Sequence, residues 1–342
     1  MPEINDKNKG NVRIGNVDLG DFPLLLAPME DVSDPPFRKL CKEQGADMVY
    51  TEFISADGLV HDAMNSLKKL EIFDYERPIG IQYFGGQVEN MIEAAEMIEA
   101  KNPDVIDINF GCPVAKVACR MAGAGLLRDI PKMVELTASV VKSTKKPVTV
   151  KTRLGWDDSS INIVDVAERL QDAGIQALTI HGRTRAQMYK GEADWTWIAR
   201  VKDNPRMNIP IFGNGDVDSP QKALEYRNRF GTDGIMIGRA SIGYPWIFRE
   251  IKHFFLTGEL LPPPDIHERV RAAKQHLSDS LAWKGPKLGI LEMRRHYSPY
   301  FRDLPHIKTF RARLVTEMEP EVLFGILDEM EELYANLEPE TV

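Results

Sequence analysis

The residues with the clearest chemical potential stand at the end of one apolar run. Val105-Ile106-Asp107-Ile108-Asn109-Phe110 is followed at once by Gly111-Cys112-Pro113. The β-branched run predicts a buried strand, and Gly-Cys-Pro is typical of a tight turn that ends it. A thiol is therefore expected at the mouth of a strand, where α/β proteins build their sites. Four roles are open for Cys112: a nucleophile, a metal ligand, an acid, or a small buried apolar residue.

Polar, glycine-rich or reactive residues also follow the other apolar runs. They are Ala27-Pro28-Met29, Thr51-Glu52-Phe53, Gln82-Tyr83-Phe84-Gly85-Gly86, Lys151-Thr152-Arg153, His181-Gly182-Arg183-Thr184, Gly213-Asn214-Gly215-Asp216 and Gly238-Arg239. In a barrel the carboxyl ends of the parallel strands converge on one face. Side chains that are scattered in the sequence are then expected to line one pocket.

The elements that must position these residues are eight short apolar runs separated by amphipathic segments. The predicted strands are Leu24–Ala27, Met48–Phe53, Ile79–Tyr83, Val105–Phe110, Pro147–Lys151, Ala177–His181, Ile209–Phe212 and Gly234–Ile237. Spacing of 3.6 residues predicts helices between them, for example at Ile163, Val166, Ala167 and Leu170. Ser219-Pro220 indicates a capped helix start.

Eight strands that alternate with helices predict an α/β fold, a (β/α)8 TIM barrel. A doubly wound sheet is the structural alternative. Such a sheet usually carries a glycine fingerprint after its first strand, and Leu26-Ala27-Pro28-Met29 is not one. We therefore predict the barrel.

Leu261-Pro262-Pro263-Pro264-Asp265 is the clearest predicted linker. We expect a TIM-barrel catalytic domain over residues 1–261 and a small all-helical domain of about four helices over residues 262–342. Between Arg269 and Arg313 there are 11 Lys or Arg against 3 Asp or Glu, in a chain of net charge −8. Such a basic segment indicates either a nucleic-acid surface or ordinary solvated helix faces. The residues after it, 314–342, contain 9 Asp or Glu and no Lys or Arg.

Composition excludes several classes of protein. The chain has 342 residues, 43% of them hydrophobic, with three cysteines that form no CxxC pair. Neither a disulfide framework nor a metal site is expected, and Cys41 and Cys119 are expected to pack in the core. The start is polar, and no apolar run approaches the ~18 residues of a membrane span. A reduced, cytoplasmic and soluble protein is expected.

The last two strand-end clusters predict a phosphate site. Barrels often bind phosphate at the loops after strands seven and eight, through glycine backbone amides. Gly213-Asn214-Gly215-Asp216 and Gly238-Arg239 occupy these two loops, and Arg239 could add a charge-assisted contact. Ordinary tight turns are the alternative interpretation of each cluster alone.

Flavin mononucleotide fits the combined pocket better than a bare sugar phosphate does. Gln82 offers a donor and an acceptor to a heterocyclic edge, Lys151 a cation that favours a reduced, anionic ring, and His181 a further polar group. A flavin that gives hydride to one carbon of a double bond needs a proton donor for the other. The thiol of Cys112, with a usual pKa of ~8.5, is expected to be that acid.

These residues resemble the motifs of a known family. The resemblance is carried by Ala27-Pro28-Met29 with Ser33-Asp34-Pro35-Pro36-Phe37-Arg38, by Asp107 to Val117, and by Lys151-Thr152-Arg153-Leu154-Gly155-Trp156, His181-Gly182-Arg183-Thr184-Arg185, Gly213-Asn214-Gly215-Asp216 and Ile237-Gly238-Arg239. The chain resembles bacterial tRNA-dihydrouridine synthases, most closely the B-type, from about residue 12 to about residue 313.

The resemblance implies an FMN-bearing barrel, a helical domain that holds tRNA, and NADPH (or NADH) as reductant. Hydride would pass to C6 of a uracil, and Cys112 would protonate C5. It implies FMN contacts from Ala27, Pro28, Met29, Gln82, Lys151, His181, Asn214, Gly215, Asp216, Gly238 and Arg239. It implies tRNA contacts from Asn109, Lys116, Arg183, Arg294, Arg295 and His296, the last three resembling a basic motif of the helical domain. Pro299, just beyond that motif, is expected to break the helix there.

Two other functions compete with this one. A flavin enzyme that acts on a free pyrimidine shares the barrel, FMN and a lysine, but it does not need the basic helical appendage. A tRNA-binding module without catalysis would show erosion of the site, yet Cys112, Lys151 and His181 are all present.

Overall fold

The barrel is formed by a sheet of parallel strands in the computed structural model, which describes residues 10–114, 118, 119 and 121–335. Its strands are β3 (Leu24–Leu26), β4 (Val49–Tyr50), β5 (Ile54–Ser55), β6 (Ile79–Phe84), β7 (Val105–Phe110), β8 (Val148–Arg153), β9 (Ala177–His181), β10 (Ile211–Asn214) and β11 (Gly234–Ile237). A short hairpin, β1 (Arg13–Ile14) and β2 (Val17–Asp18), precedes them.

The strands follow one another around the barrel in the order β3-β11-β10-β9-β8-β7-β6-β4, and β5 pairs with β6. The amide of Leu26 donates to the carbonyl of Met48 at 2.9 Å, and Leu25 forms a parallel β-bridge with Met48. These contacts bring together β3 and the segment before β4, the two ends of the strand order. The eight-stranded parallel barrel predicted from the sequence is confirmed.

Helices cover the outside of the barrel and build the C-terminal region. They are α1 (Pro35–Glu43), α2 (Ala56–Val60), α3 (Met64–Lys68), α4 (Val88–Ala100), α5 (Ile130–Ser143), α6 (Ile163–Asp172), α7 (Thr196–Lys202), α8 (Pro220–Phe230), α9 (Ile247–Thr257), α10 (Ile266–Tyr300), α11 (Lys308–Thr316) and α12 (Pro320–Ala335). On α6 the four apolar residues at helical spacing are all buried, and the hydroxyl of Ser219 caps α8 by accepting from the Lys222 amide, as predicted.

Five of the eight predicted strands differ in their bounds, and two of these differences bear on the site. The run predicted over Met48–Phe53 is interrupted after Tyr50, because the hydroxyl of Thr51 accepts the Gln82 amide in place of a backbone carbonyl. The fifth predicted strand continues to Arg153 and carries that side chain to the mouth of the barrel. The packing prediction was right for Cys41, which is buried, and wrong for Cys119, which is exposed.

The sharp break in the C-terminal region lies at Gly285 and not at Pro299. Gly285 has φ 77° and ψ 169°, a conformation that essentially only glycine adopts, and Pro286 starts the second half of α10. Pro299 occupies the last turn before the helix ends at Tyr300. Both halves of α10 contact α1 of the barrel, through His276 and His296 against Phe37, and α12 packs on α10.

Candidate functional site

A cavity of about 930 Å³ opens at the carboxyl ends of the barrel strands. Most residues singled out from the sequence lie on its wall. These are Ala27, Pro28, Met29, Asn109, Cys112, Lys151, His181, Arg183, Asn214, Gly215, Asp216, Gly238 and Arg239. The alternating strand and helix order therefore brings together side chains from six different strand ends.

Cys112 sits on a turn that its own strand end holds in place. The Oδ1 atom of Asn109 accepts hydrogen bonds from the amides of Gly111 and Cys112, both at 2.8 Å. The Cys112 side chain is 6% exposed, and burial raises the pKa of its thiol above the ordinary value. The thiol therefore keeps its proton at neutral pH, which suits a general acid better than a thiolate nucleophile.

Lys151 places an ammonium group on the same cavity wall as this thiol. Burial, followed by the positive charge of Arg153, lowers the pKa of Lys151 to about 8. None of the other described residues accepts a hydrogen bond from its ammonium. A group of this kind is ready to pair with a negative charge that a ligand brings into the cavity.

His181 is neutral at physiological pH. Burial lowers its pKa well below the ordinary value, and the charges of Lys151, Arg153 and Arg183 add to that effect. Its Nε2 atom lies 3.3 Å from Nη1 of Arg183, a permanent donor. The ring can therefore offer hydrogen bonds to a ligand, but not a positive charge.

Asp216 organises the guanidinium groups beside the two glycine loops. Its carboxylate accepts two bonds from Arg183, at 2.8 and 2.7 Å, and one from Arg239 at 2.9 Å. Burial alone would raise the pKa of Asp216, but the bonds and charge of Arg183 outweigh it and lower the pKa. The Arg239 side chain remains half-exposed and lines the cavity.

The loops after β10 and β11 offer backbone amides that the protein leaves unused. No described acceptor takes a hydrogen bond from the amides of Gly215, Asp216, Gly238 or Arg239. Gly215 has φ +124°, and a Cβ atom there would lie 2.7 Å from Cβ of Ala193, so only glycine fits. These amides together with Arg239 suit a phosphate group, and the cavity is large enough for a flavin beside it.

A second cluster of polar groups on the rim is satisfied internally. Ligand atoms of Glu30, Asp31 and Glu52 lie within 4.8 Å of one another. Lys69 pairs with two of these carboxylates, at 2.6 Å from Glu30 and 3.4 Å from Glu52. Because a lysine ammonium already occupies the cluster, its chemistry does not favour a resident metal ion.

Comparison with known protein families shows to which family of TIM-barrel proteins the chain belongs. The family model for dihydrouridine synthase (Dus) matches residues 25–333. The chain belongs to the dihydrouridine synthase family. The resemblance recognised in the strand-end motifs is thereby confirmed.

Named relatives of this dihydrouridine synthase family member cover most of its length. The protein named tRNA-dihydrouridine synthase B of Pseudomonas putida is 43% identical over 303 residues, which are 88% of this chain and 89% of the relative. The protein named probable tRNA-dihydrouridine synthase 1 of Synechocystis sp. is 42% identical over 292 residues, 85% of this chain and 81% of the relative.

Solved structures of more distant enzymes share the barrel of this dihydrouridine synthase family member. A 2-naphthoyl-CoA reductase covers 72% of the chain with a TM-score of 0.56 and 12% identity, over 52% of its own length. A histamine dehydrogenase from Rhizobium sp. 4-9 covers 78% with a TM-score of 0.54 and 13% identity, over 50% of its length. At these identities the likeness shows the fold alone.

In this family member, protein groups hold the side chains of three residues that were expected to contact FMN or tRNA. Gln82 is absent from the cavity wall, because its side chain is fully buried and bonded at both ends. Arg183 was expected to touch tRNA, but its guanidinium is buried and held by Asp216 and the carbonyl of Gly191. The side chain of Asp216 holds two arginines, so any contact to a phosphate would come from its amide.

The basic motif of the helical region is divided between core and surface. His296 is buried, accepts a hydrogen bond from the Gly243 amide at Nδ1 and packs on the ring of Phe37, so it does not offer the expected tRNA contact. Arg295 is exposed and bonds to the loop that carries Glu30. Arg294 is partly buried, and Lys116 lies outside the described residues.

Part of the positive charge of the helical region is paired with acidic residues of the protein itself. Lys274 contacts Asp328, Arg313 contacts Glu329 at 2.7 Å, and both acids belong to the acidic helix α12. The exposed cations without a described ion-pair partner are Arg271, Lys287 and Lys308. The basic segment is therefore a smaller patch than its residue count implies.

Among the described residues, no helix is long and apolar enough to cross a bilayer.

Arg153 and Tyr189 stand out among the residues of the cavity wall to which sequence reasoning gave no role. Arg153 donates to the carbonyls of Gly111 at 2.7 Å and Met188 at 2.9 Å, and so ties the Cys112 turn to the loop after β9. Tyr189 lies in that loop, half-exposed, with the guanidinium of Arg239 4.9 Å from its ring centre. Arg153 stood in a strand-end cluster, which was a usable signal, whereas no local pattern distinguished Tyr189.

Proposed function

We propose that this chain is an FMN-dependent tRNA-dihydrouridine synthase that uses NADPH, or NADH, to reduce the C5–C6 double bond of uridines in tRNA. One observation carries the proposal: a protonated thiol at Cys112 shares a cavity with the Lys151 cation and with unused amides of two glycine loops. Residues 1–261 form the catalytic domain in this proposal, and residues 262–342 form the tRNA-binding domain.

The residues that fit FMN divide its binding between them. The amides of Gly215, Asp216, Gly238 and Arg239 would hold the phosphate, with the Arg239 guanidinium positioned by Asp216. The Lys151 ammonium would face the ring edge where negative charge develops on reduction. When bound, FMN would supply hydride chemistry toward C6 of a uracil ring.

Cys112 would complete the reduction by delivering a proton to C5. Its S–H bond breaks as the C5–H bond forms, and the resulting thiolate recovers a proton from water. Burial raises the pKa of this thiol, so the proton is present when the substrate arrives. Arg153 and Asn109 hold the turn that carries the thiol, and this fixes the direction from which the proton comes.

A uracil inside folded tRNA must leave its stack before it can reach a cavity at the mouth of a barrel. Binding must supply that energy, largely through phosphate contacts. Arg295 and the exposed cations Arg271, Lys287 and Lys308 of the helical region are the groups available for this purpose. A reductase for free pyrimidines would not need them.

The decisive experiment maps dihydrouridine in tRNA from a strain that lacks the gene, with and without a plasmid copy. Restoration by the wild-type gene and not by Cys112→Ala supports the proposal. Purified protein that is yellow and reduces only free uracil would favour a free-pyrimidine enzyme. Colourless protein that binds tRNA but cannot be reconstituted with FMN would favour a binding module.

A further inference from the structure

A buried chain of side-chain hydrogen bonds runs from the barrel interior to the Cys112 turn. The carboxylate of Asp107 accepts from Nε2 of Gln82 at 2.6 Å, and Oε1 of Gln82 accepts from Nδ2 of Asn109 at 2.7 Å. Oδ1 of Asn109 then accepts from the amides of Gly111 and Cys112, both at 2.8 Å. Asp107, Gln82 and Asn109 are 1%, 0% and 5% exposed, so water does not compete for these bonds.

The strand register explains why the chain forms. Asp107 lies opposite Gln82 on β6 and opposite Thr149 on β8, whose hydroxyl donates to the other carboxylate oxygen. Asp107 and Asn109 are two residues apart on β7, and therefore their side chains point to the same, inner face of the barrel. The chain thus links three neighbouring strands directly beneath the cavity.

The direction of every bond in the chain is determined by its two ends. Backbone amides can only donate, so Asn109 must turn its oxygen toward Gly111 and Cys112 and its nitrogen toward Gln82. Gln82 must then present its oxygen to Asn109 and its nitrogen to residue 107. An acceptor is therefore required at position 107, and an ionised carboxylate is a group that only accepts.

We infer that Asp107 is a positioning residue for Cys112: its carboxylate orients the amide of Gln82, which orients Asn109, which holds the turn that carries the thiol. The inference assigns Gln82 to this chain rather than to the cavity wall. The catalytic part of this inference rests on the proposed function. The hydrogen-bonded chain itself consists of protein groups only.

The protonation state of Asp107 agrees with this role. Burial raises its pKa to about 6, and the bonds from Gln82 and Thr149 and the charge of Lys151 limit the rise. The carboxylate is therefore mostly ionised between pH 7 and 8, where it accepts from Gln82 without competition from a proton of its own.

The test measures the reactivity of the Cys112 thiol in the full-length protein. A Cys119→Ser background removes the exposed cysteine, and Cys41 is fully buried. Alkylation by iodoacetamide over a pH series then reports the accessibility and pKa of Cys112. Asp107→Leu removes the acceptor for Gln82, whereas Asp107→Asn retains an acceptor oxygen. Thr149→Val is the matched control, because it removes the other hydrogen-bond partner of the same carboxylate.

We expect Asp107→Leu to speed alkylation of Cys112 about tenfold, the factor that corresponds to the loss of one buried hydrogen bond. Asp107→Asn should restore the wild-type rate, because its oxygen can accept from Gln82 while its nitrogen donates to the Thr149 hydroxyl. Thr149→Val should leave the rate unchanged. Asn109→Ala should have the effect of Asp107→Leu, and the double variant should add nothing further.

Equal thiol reactivity in Asp107→Leu and Thr149→Val would overturn the inference, as would additive effects of Asp107→Leu and Asn109→Ala. If Asp107→Leu does not fold, Gln82→Met breaks the same chain one link later and must reproduce the faster alkylation. A wild-type protein that forms no dihydrouridine would end the proposed function, whereas the thiol measurements would still decide the role of Asp107.

Discussion

The ammonium of Lys284 lies 2.6 Å from the carboxylate of Asp34, and this ion pair joins the helical region to the barrel. Both side chains are almost fully buried, at 7% and 5% exposure. Lys284 also pairs with Glu292, and Asp34 caps α1 by accepting from the Phe37 amide. The kink at Gly285 follows directly, so the pair fixes the point from which the second half of α10 starts toward the cavity rim.

Lys284→Met is expected to lower the free energy of unfolding by about 3 kcal/mol, because Asp34 and Glu292 would remain buried without a counter-charge. Denaturant titration followed by circular dichroism measures the change. The control is Lys132→Met, whose partner Glu135 lies on the surface of α5 and whose loss should cost less than about 0.5 kcal/mol. Equal midpoints for the two variants would contradict the expectation.

Cys112→Ala is expected to retain flavin and to oxidise NADPH at the wild-type rate, while dihydrouridine formation falls about 10²- to 10⁴-fold. The reason is that, in the proposed mechanism, Cys112 delivers the proton and does not contact the phosphate loops. Anaerobic single-turnover reaction with unmodified tRNA measures the loss. Uridine reduction within a few-fold of wild type would show that another group supplies the proton.

FMN affinity is expected to weaken as the pH rises above about 8. Lys151 has a pKa of about 8 in the free protein, below its unfolded value of 10.5, and binding of an anion favours its protonated form. Above pH 8 a proton must be taken up on binding, so the affinity should fall by up to about tenfold per pH unit. Fluorescence titration of FMN at pH 7 to 10 measures this.

The matched variant for that titration is Lys151→Met. It should bind FMN more weakly at pH 7 and should show no fall between pH 8 and pH 10, because the titrating group is absent. A parallel decline in the variant and the wild type would assign the pH dependence to another residue.

Replacing Arg294 and Arg295 together with alanine is expected to raise the Kd for tRNA and to flatten its salt dependence. Each lost phosphate contact should lower the slope of log K against log salt by about 0.7 to 0.9. Lys274→Ala is the control, because its ammonium is already paired with Asp328 and Glu331 of α12. NADPH oxidation should stay normal in both proteins, and an unchanged slope in the double variant would exclude these arginines from the tRNA surface.

Much of the site could be predicted because strand ends are marked locally. Apolar β-branched runs followed by glycine or polar residues placed Cys112, Lys151 and Asn214 at the carboxyl ends of strands, and barrel geometry then makes them neighbours. Gly215 could be placed for the same reason in a loop whose backbone approaches a ligand closely. None of these inferences required knowledge of a partner distant in sequence.

The unexpected features of the site are polar side chains whose partners come from other strands or loops. Gln82 was expected to meet a ligand, but Asp107 and Asn109 of the next strand occupy both ends of its amide. Arg183 was expected to contact tRNA, and at the cavity wall its guanidinium is buried and paired with Asp216. A strand-end position shows that a side chain is near the site, and the neighbouring strand decides whether it faces the cavity.

The charge pattern illustrates the same limit. The basic segment between Arg269 and Arg313 and the acidic residues after Leu314 were both evident in the sequence, but their relation was not. The structure packs α12 against α10, and Lys274 and Arg313 are paired with acids that follow them by 16 residues or more. Attraction of α10 and α11 to the acidic helix α12 therefore neutralises part of the surface that the sequence suggested for tRNA.

The amino-acid sequence by itself determined the barrel, the order of its strands and the residues at their carboxyl ends, because periodicity and turn chemistry act over a few residues. Only the tertiary structure decided which of those residues face the cavity and which, like Asp107 and Gln82, hold others in place. The physical reason is that a buried polar group must be satisfied by whichever donors and acceptors the folded strands bring within about 3 Å of it.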